Sequence, residues 1–367
     1  MPAWSDGPPY AMTEMIAAEP ALAERLVRLL AEDSVVRALA GDARATAEGG
    51  GSIILAGCGT SEHAAMVGAA LLEDALRVAG VEDPRVASIQ AFELVAAAGL
   101  VIGVSHEGGT WATNQALRAA AEGGAKTALI TVGDRSPGAA LVNRVVQTGQ
   151  QDQSWCHTVG YLSPMLAFAV LAGMLRGDIP DPVAVRALLD SADHASSAEE
   201  MAATLTRCRS LRIVGSGVDY ATARELALKI EEGAHLPATA HQLETLRHGH
   251  LAAADEETGL VLVLTDGEDR GAVVVERARA VLRSATALGM PAAAIVGADH
   301  GDDLPLELTP AGRAATPMTS RLPRVVAAAV GATVPIQLLA ERLARARGTN
   351  PDTIGREDPR QAAAAEA

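Results

Sequence analysis

The sequence predicts an α/β protein made of two tandem copies of one parallel-sheet unit. In the first copy, the apolar segment 52–56 runs into Gly57-Cys-Gly59 and then into a helical pattern. The same order returns about 160 residues later, where 211–214 run into Gly215-Ser-Gly217. A strand that enters Gly-x-Gly and then a helix is typical of a parallel sheet. A repeat this long indicates a duplicated domain, because solenoid repeats span only about 20–50 residues.

Helices and strands are predicted in order from the apolar pattern. Residues 12–46 are expected to be helical, because apolar side chains recur at three- and four-residue steps, with a break near Pro20. In the first copy, the pattern then predicts a helix from about Glu62, a strand at 100–105, a helix to about Glu122 and a strand at 127–132. In the second copy it predicts a helix from near Tyr220, a strand at 260–265, a helix to about Leu288 and a strand at 292–296.

These elements divide the chain into four segments. Pro180, Pro182 and the polar stretch 193–200 interrupt the apolar pattern and mark a linker between the two copies. The polar, then Ala-rich tail is expected either to pack over a site or to fray. The predicted segments are an N-terminal helical segment at 1–46, a first domain at 47–180, a second domain at 200–346 and a tail at 347–367.

Composition excludes several classes of function. A net charge of −15 without a basic cluster argues against nucleic acid and against anionic membranes as partners. The longest apolar runs, 165–175 and 325–340, are shorter than the ~20 residues of a membrane span. The chain starts without the basic and apolar regions of a signal peptide. Three scattered cysteines lack metal-ligand spacing and suit a reducing compartment. We therefore expect a cytoplasmic protein that needs neither a metal nor a cofactor.

Two loops of the first copy are candidates for binding a ligand. In a parallel sheet, ligands bind beyond the carboxyl ends of the strands, at helix N-termini. Each loop could instead be a tight turn with a helix cap, which is the commoner role of Ser and Thr there. Two such loops side by side favour a ligand site. The first loop, residues 57–61, contains the candidate binding residues Gly59, Thr60 and Ser61. The second loop, residues 105–110, contains the candidates Ser105, His106, Glu107, Gly108 and Thr110.

The second copy carries candidate catalytic residues. Lys229 and Glu232 share one face of a predicted helix, and Lys229 is one of only two lysines in the chain. They could equally be a surface ion pair of little energetic value. His248 lies in the turn Leu246-Arg-His-Gly-His250, and a carboxylate with an imidazole can move protons between adjacent carbons. The histidines of this region could alternatively bind a metal, although their spacing matches no common template.

These motifs together resemble the double sugar isomerase (SIS) domain family. The resemblance is to the isomerase half of glucosamine-6-phosphate synthase and to stand-alone relatives that act on amino-sugar or fructosamine phosphates. Six matches in the same order cover residues 12–352. The matching segments are 12–20, 57–61, 105–110, 225–232, 246–249 and 334–340 together with 347–352.

The resemblance implies a fold, a reaction and roles for the candidates. Each domain would be a three-layer, flavodoxin-like unit with a five-stranded parallel sheet between helices. Glu232 would transfer a proton between C1 and C2 of a sugar or amino-sugar phosphate, beside Lys229, in an isomerisation or deamination. His248 would assist ring opening from a loop that reaches across a homodimer, and Trp155 would join the binding loops in the substrate pocket. A deglycase acting on a fructosamine-like adduct and a non-catalytic sugar-phosphate sensor remain alternatives.

The chain departs from the family pattern at the binding loop and in the tail. His106 stands where an amide is usual, Glu107 replaces a hydroxyl and Gly109 replaces an acid. Thr158-Val159 replaces a Thr-Lys pair, and the tail lacks the lysine that completes the family's site. A carboxylate at Glu107 would compete with a substrate phosphate for the donors of the second loop. The proton-transfer residues are retained, whereas the residues that contact the phosphate and the tail are altered. This combination predicts an active protein whose substrate differs from fructose 6-phosphate and glucosamine 6-phosphate.

Overall fold

The computed structural model describes residues 7–94, 98–190, 194–266 and 271–366. Residues 1–6 of the predicted N-terminal segment, 191–193 of the predicted linker and the final residue of the predicted tail lie outside this description.

The strands in the described ranges form two five-stranded parallel sheets. The strands of the first sheet are β1 (Ser52–Gly57), β2 (Arg85–Gln90), β3 (Leu100–Val104), β4 (Lys126–Thr131) and β5 (Arg144–Gln147). Those of the second sheet are β6 (Ser210–Gly215), β7 (Ala238–Gln242), β8 (Thr258–Leu264), β9 (Ala292–Gly297) and β10 (Arg313–Thr316). The strand orders, β2-β1-β3-β4-β5 and β7-β6-β8-β9-β10, are the same order repeated. This confirms the predicted flavodoxin-like topology and its duplication.

The apolar runs predicted six of these strands, and the edge strands escaped detection. β8 and β9 are buried along their whole length and therefore read as continuous apolar segments. β2, at the edge of the first sheet, alternates exposed and half-buried residues. An edge strand packs on fewer neighbours, so its sequence carries a weaker apolar signal.

Helices cover both faces of each sheet. They are α1 (Ala11–Glu32), α2 (Ser34–Glu48), α3 (Thr60–Val78), α4 (Trp111–Glu122), α5 (Val159–Arg176), α6 (Pro182–Leu189), α7 (His194–Leu205), α8 (Val218–Ala234), α9 (Leu243–Leu246), α10 (Ala272–Ala287), α11 (Arg324–Gly331), α12 (Thr333–Arg347) and α13 (Pro359–Glu366). The largest hydrophobic core contains side chains of both sheets and of α1, α3, α5, α8 and α12. Smaller cores lie under α4 in the first unit and under α10 in the second. The two units therefore share one central core.

The predicted helix break near Pro20 is wrong. Pro20 lies inside α1, and the chain leaves helical geometry at Asp33, which has φ −70° and ψ 125°. The Asp33 carboxylate caps α2 by accepting hydrogen bonds from the backbone N–H groups of Val35 and Val36. Buried residues lie on both sides of Pro20, so packing against α5 and α6 holds α1 together across the missing backbone donor.

Within the described ranges, two helical stretches are long and apolar enough to cross a membrane, judged by length and composition alone. They are Val159–Arg176 and Arg324–Arg347, and 89% and 83% of their apolar windows are buried inside the protein. Core helices of soluble proteins show this degree of burial, and the two stretches contribute to the shared central core.

Candidate active site

A cavity of about 360 Å³ lies beyond the carboxyl ends of β1 and β3. Both units and the tail contribute to its walls. The lining residues are Cys58, Gly59, Thr60, Ser61, His106, Glu107, Gly109, Thr110, Trp155, His157, Leu228, Glu232, Ile354 and Arg356. The two predicted binding loops therefore face one cavity, together with Trp155 and Glu232.

The first loop brings the N-terminus of α3 to the cavity through a turn that requires glycine. A Cβ atom on Gly57 would lie 2.6 Å from the backbone of Ser61, so a side chain is excluded there. Gly59 has φ 56° and ψ −130°, a conformation that residues with a side chain rarely adopt. α3 then begins at Thr60, where the free N–H groups and the helix dipole favour an anion.

The second loop is built from residues with different roles. Thr110 precedes α4 and lines the cavity together with His106, Glu107 and Gly109. Ser105 is buried, and its hydroxyl lies 3.1 Å from that of Thr110. Gly108 has φ 65°, and a Cβ atom on it would overlap Ser136. Ser105 and Gly108 thus shape the loop from behind.

Glu107 lies at the exposed rim of the cavity. Its Oε1 accepts a hydrogen bond of 2.7 Å from Nε2 of Gln151. The sequence predicts that this carboxylate binds the backbone N–H groups at the start of α4. In the structure, its hydrogen-bond partner is instead the Gln151 side chain.

Glu232, near the end of α8, has the properties of a proton-transfer group. The residue as a whole is half-buried, and its Oε2 is buried without a hydrogen-bond partner among the described residues. Burial raises the pKa of Glu232 to about 7, against the opposing effect of the nearby Lys229 cation. A carboxyl group that titrates near neutral pH can both accept and return a proton.

Lys229 lies fully buried beneath the cavity and does not line it. Its ammonium contacts the Glu225 carboxylate at 2.7 Å and donates a hydrogen bond to the backbone carbonyl of His157. Burial lowers the pKa of Lys229, but Glu225 outweighs this effect and the pKa stays above its ordinary value. The sequence placed Lys229 beside Glu232, whereas its ion-pair partner is Glu225, one helical turn earlier.

The buried Glu225 carboxylate joins the first loop to this ion pair. Its Oε1 accepts a hydrogen bond of 3.1 Å from the Thr60 hydroxyl, and its Oε2 lies 2.7 Å from Nδ1 of His63. Burial raises the pKa of Glu225, but Lys229 and His63 outweigh it and hold the pKa at about 2. Sequence reasoning missed Glu225 and His63, although Glu225 precedes Lys229 at the i, i+4 spacing of a helical ion pair.

Two neighbouring imidazoles form another part of the wall. The ring centroids of His106 and His157 are 4.9 Å apart, and Nε2 of His106 accepts a hydrogen bond from the backbone N–H of Asp152. Burial, helped by His157, lowers the pKa of His106 to about 4, and burial also lowers the pKa of His157. Both rings are therefore neutral at physiological pH and add no positive charge to the cavity.

The tail contributes a segment, residues 349–356, that we call the strap. Ile354 and Arg356 of the strap line the cavity, and the Arg356 guanidinium lies 3.8 Å from the ring centroid of Trp155. The backbone N–H of Trp155 donates to the carbonyl of Asp352. The Asp352 carboxylate accepts hydrogen bonds from two backbone N–H groups at the start of α1. The tail thus packs over the site, one of the two outcomes expected for it.

Six lining residues were not predicted as site residues. Cys58 and Gly109 lie within the two predicted loops, and the other four are His157, Leu228, Ile354 and Arg356. Arg356, for example, stacks on Trp155, and nothing in the sequence indicates that two residues so far apart along the chain will meet.

His248 lies outside the cavity of its own chain. Its imidazole is 71% exposed, and its Nε2 is 3.2 Å from the Glu244 carboxylate. The nearby rings of His241 and His250 have centroids 4.3 Å apart. No three His, Cys, Asp or Glu side chains of the described segments converge as metal ligands.

Comparison with known proteins agrees with this architecture. The profile of the SIS domain matches residues 49–173 and 204–301. The glutamine–fructose-6-phosphate aminotransferase (isomerizing) of Gloeobacter violaceus is 27% identical over 321 residues, or 82% of this chain and 50% of that protein. The chain thus spans about half the length of this relative.

Solved structures share the fold. The C-terminal domain of glucosamine-fructose-6-phosphate aminotransferase from Francisella tularensis superimposes with a TM-score of 0.78 at 20% identity, covering 95% of this chain and 99% of that one. Tagatose-6-phosphate ketose/aldose isomerase from Escherichia coli gives a TM-score of 0.73 at 19% identity, covering 97% of each chain. The profile match, the repeated topology and the shared fold together show that this chain belongs to the SIS domain family.

Proposed function

We propose that the cavity binds a phosphorylated sugar or amino sugar and that Glu232 transfers a proton between its C1 and C2. The reaction would be an aldose–ketose isomerisation or a deamination. The phosphate would bind at the N-termini of α3 and α4, and the sugar would extend along α8 toward Glu232. The observation that carries the proposal is the Glu232 carboxyl group in the cavity wall. Its Oε2 is buried without a hydrogen-bond partner among the described residues, and burial raises its pKa to about 7.

The electrostatics of the cavity support this assignment. The helix dipoles of α3 and α4 supply partial positive charge at one end of the cavity. Lys229, held by Glu225, stays a buried cation near Glu232 and stabilises negative charge that develops during enolisation. An enzyme that moves a proton between carbons needs a base near neutrality beside such a positive charge.

The proposal also covers the oligomeric state of the protein and its compartment in the cell. His248 would act on the site of a second copy in a homodimer, because it is exposed and lies away from its own cavity. The acidic net charge and the free cysteines Cys58, Cys156 and Cys208 are compatible with the cytoplasm.

Hydrogen exchange tests the chemistry directly. Fructose 6-phosphate or glucosamine 6-phosphate is incubated with the protein in D₂O, and deuterium at C1 and C2 is followed by NMR. We expect Glu232→Gln to slow the exchange by at least about 100-fold while ligand affinity stays within a few-fold, because the amide keeps the shape and loses the base.

Glu231→Gln is the matched control. Glu231 is the neighbouring residue of α8, is exposed and does not line the cavity. It should leave the exchange rate unchanged. Equal exchange by the wild type and by Glu232→Gln would remove Glu232 as the base. Tight binding with no exchange by the wild type would instead identify a sensor.

A further inference from the structure

A group of polar side chains lies on the second sheet, away from the cavity. In β6 and β7, Arg212 pairs with Thr239, and two residues further on Val214 pairs with His241. Alternate residues of a strand lie on one face of a sheet, and paired residues of parallel strands share that face. Val214 belongs to the core under α10, so the other three residues lie on the same side of the sheet as α10. Because β7 is an edge strand, this group borders the protein surface.

Two nitrogen atoms of this group are buried without a hydrogen-bond partner among the described residues. They are Nε of Arg212 and Nε2 of His241, and His241 is only 7% exposed. Nη1 of Arg212 donates a hydrogen bond of 3.3 Å to the Thr239 hydroxyl. The exposed His250 completes the group, with its ring centroid 4.3 Å from that of His241. We call Arg212, Thr239, His241 and His250 the β7 cluster. Buried nitrogen atoms are normally hydrogen-bonded, so the two without partners indicate that a ligand supplies the acceptors.

The charges around the β7 cluster favour an anion. Arg212 forms no ion pair with the described residues. Burial, His250 and Arg212 all lower the pKa of His241, to about 4, and no described carboxylate counteracts them. Two neighbouring imidazoles could instead hold a metal ion, but the Arg212 cation would repel it, and the described residues provide no cluster of three metal ligands. The β7 cluster is therefore suited to a negatively charged group.

We propose that the β7 cluster binds a phosphoryl group, as a second ligand site outside the cavity. A carboxylate has two oxygens in one plane, and the guanidinium alone would satisfy it. A phosphoryl group has three terminal oxygens and up to two negative charges. It accepts hydrogen bonds from several side chains at once, here the guanidinium, the imidazoles and the Thr239 hydroxyl. No residue of the β7 cluster lines the cavity, so this site is separate from the one that the proposed function assigns to the substrate.

The site adjoins the loop that carries His248. His250 follows His248 by two residues, and residues 247–250 are all exposed, so few protein contacts hold this part of the chain. A phosphoryl group bound both by His250 and by Arg212 of β6 ties the loop to the sheet. Occupancy of the site therefore restricts His248. The effect of this restriction on catalysis rests on the proposed function, whereas the binding itself does not.

The imidazole signals test the site directly. Protein labelled with ¹⁵N-histidine is titrated with inorganic phosphate at constant pH, and the signals of His241 and His250 are followed by NMR. We expect both signals to shift along one saturable curve, with a dissociation constant below about 5 mM. Arg212→Met should weaken this binding by at least about 10-fold, because it removes both the charge and the planar set of donors.

Arg209→Met is the matched control. Arg209 lies just before β6, is exposed and pairs with two carboxylates, so its loss should leave the dissociation constant unchanged. Arg212→Lys keeps the charge without the planar donors and should retain part of the affinity. Melting curves identify any variant that has lost its fold. If Arg212→Met is such a variant, His250→Gln decides the question, because this change at an exposed position should also weaken the binding that the His241 signal reports.

Hydrogen exchange tests the effect on the loop. Exchange of the backbone N–H groups of residues 247–250 should slow when phosphate is added to the wild type, and should not respond to phosphate in Arg212→Met. Unchanged exchange in a wild type whose imidazole signals saturate would overturn the restriction of His248 and support the binding site alone.

Further probes identify the source of the phosphoryl group. Saturation by inorganic phosphate and by glycerol phosphate at similar concentrations supports the proposal with a phosphate monoester as the ligand. Saturation by inorganic phosphate alone supports it with the free ion as the ligand. Acetate that binds as tightly as phosphate overturns the proposal, and so does Zn²⁺ that saturates the same signals at lower concentrations than phosphate.

Two other results also overturn the proposal. One is equal phosphate affinity in the wild type and in Arg212→Met. The other is binding that requires more than about 50 mM phosphate. The signals of His241 and His250 report on the β7 cluster and not on the cavity, so a failure here leaves the proposed role of Glu232 standing.

Discussion

Two ionisable residues three positions apart in α8 differ in their surroundings. Lys229 is fully buried and pairs with Glu225, so its charge is fixed. In the described part of the chain, nothing pairs with Oε2 of Glu232, and burial raises the pKa of this carboxyl group to about 7. A buried charge is stable only when a partner of opposite charge compensates it. The helix directs Lys229 toward such a partner and Glu232 toward the cavity, and this accounts for the difference.

The pKa of Glu232 predicts the pH dependence of the reaction. As the proposed base, Glu232 must be deprotonated, so we expect kcat/KM to rise tenfold per pH unit below about 7 and to level off above it. His106, whose pKa is about 4, contributes nothing in this range. A pH–rate profile between pH 5 and 9 measures the effect.

The substrate phosphate itself titrates near pH 6 and must be accounted for. Binding of fructose 6-phosphate to Glu232→Gln over the same pH range supplies that correction, since this variant lacks the titrating carboxyl group. A corrected profile that stays flat from pH 5 to 9 would contradict the assigned role.

At the scale of elements, the strap couples the N-terminal helix to the cavity. Asp352 is fully buried, and its carboxylate accepts hydrogen bonds of 2.7 and 2.9 Å from the backbone N–H groups of Ala11 and Met12. Its backbone carbonyl accepts from Trp155, the residue on which Arg356 stacks. One aspartate therefore caps α1 and also holds the strap that carries two lining residues.

Asp352→Ala should lower both stability and ligand affinity. Loss of the cap should reduce the free energy of unfolding by about 1–2 kcal/mol. Affinity for fructose 6-phosphate should fall by several-fold, because Ile354 and Arg356 lose their anchor. Denaturant unfolding and titration calorimetry provide the two measurements.

Asp358→Ala is the control in the same tail. The Asp358 side chain pairs with the exposed Arg360 and does not line the cavity. We expect Asp358→Ala to leave the affinity for fructose 6-phosphate unchanged, because this side chain caps only the terminal helix α13, through the backbone N–H of Arg360, and loss of that exposed cap should cost about 0.5–1 kcal/mol. Unchanged stability in Asp352→Ala would show that water replaces the cap and that the strap is held by other contacts.

At the scale of the whole molecule, the duplicated units use their Gly-x-Gly turns differently. In the first unit, the turn and the N-terminus of α3 open to the cavity. In the second unit, α8 begins after Gly217, and its first-turn Asp219 is buried and bonded to the backbone N–H groups of Thr265 and Asp266. The Asp219 carboxylate thus takes up backbone donors that follow β8, and α8 instead supplies Glu232 to the cavity next to the first unit's loops.

The dimer proposal predicts complementation between two inactive variants. If His248 serves the site of the partner subunit, a mixed dimer of Glu232→Gln and His248→Asn has one intact site and one doubly altered site. Co-refolded at equal amounts, the mixture should regain about a quarter of wild-type activity, because half of the dimers are mixed. Activity that stays at the average of the two variants would place His248 outside the partner's site.

The sequence by itself determined the fold class, the duplication and most of the cavity. Buried central strands such as β3 and β8 are continuous apolar runs, and Gly-rich turns at their ends have steric requirements that the sequence displays. These features are local, because each depends on residues within a few positions of one another. The edge strand β2 and the end of α1 at Asp33 were not recovered, since packing against distant elements decides them.

Only the tertiary structure decided which charges are compensated. Thr60 meets Glu225, 165 residues later, and Arg356 meets Trp155 across 201 positions of the chain (356 − 155). No periodicity relates such residues, so their pairing follows from the shared core that brings α3, α8 and the tail together. That packing fixes Lys229 as a buried cation. Among the described residues it leaves Oε2 of Glu232 and Nε of Arg356 buried without a hydrogen-bond partner. Burial and the distance between charges, and not residue type alone, set the electrostatic free energy of these groups.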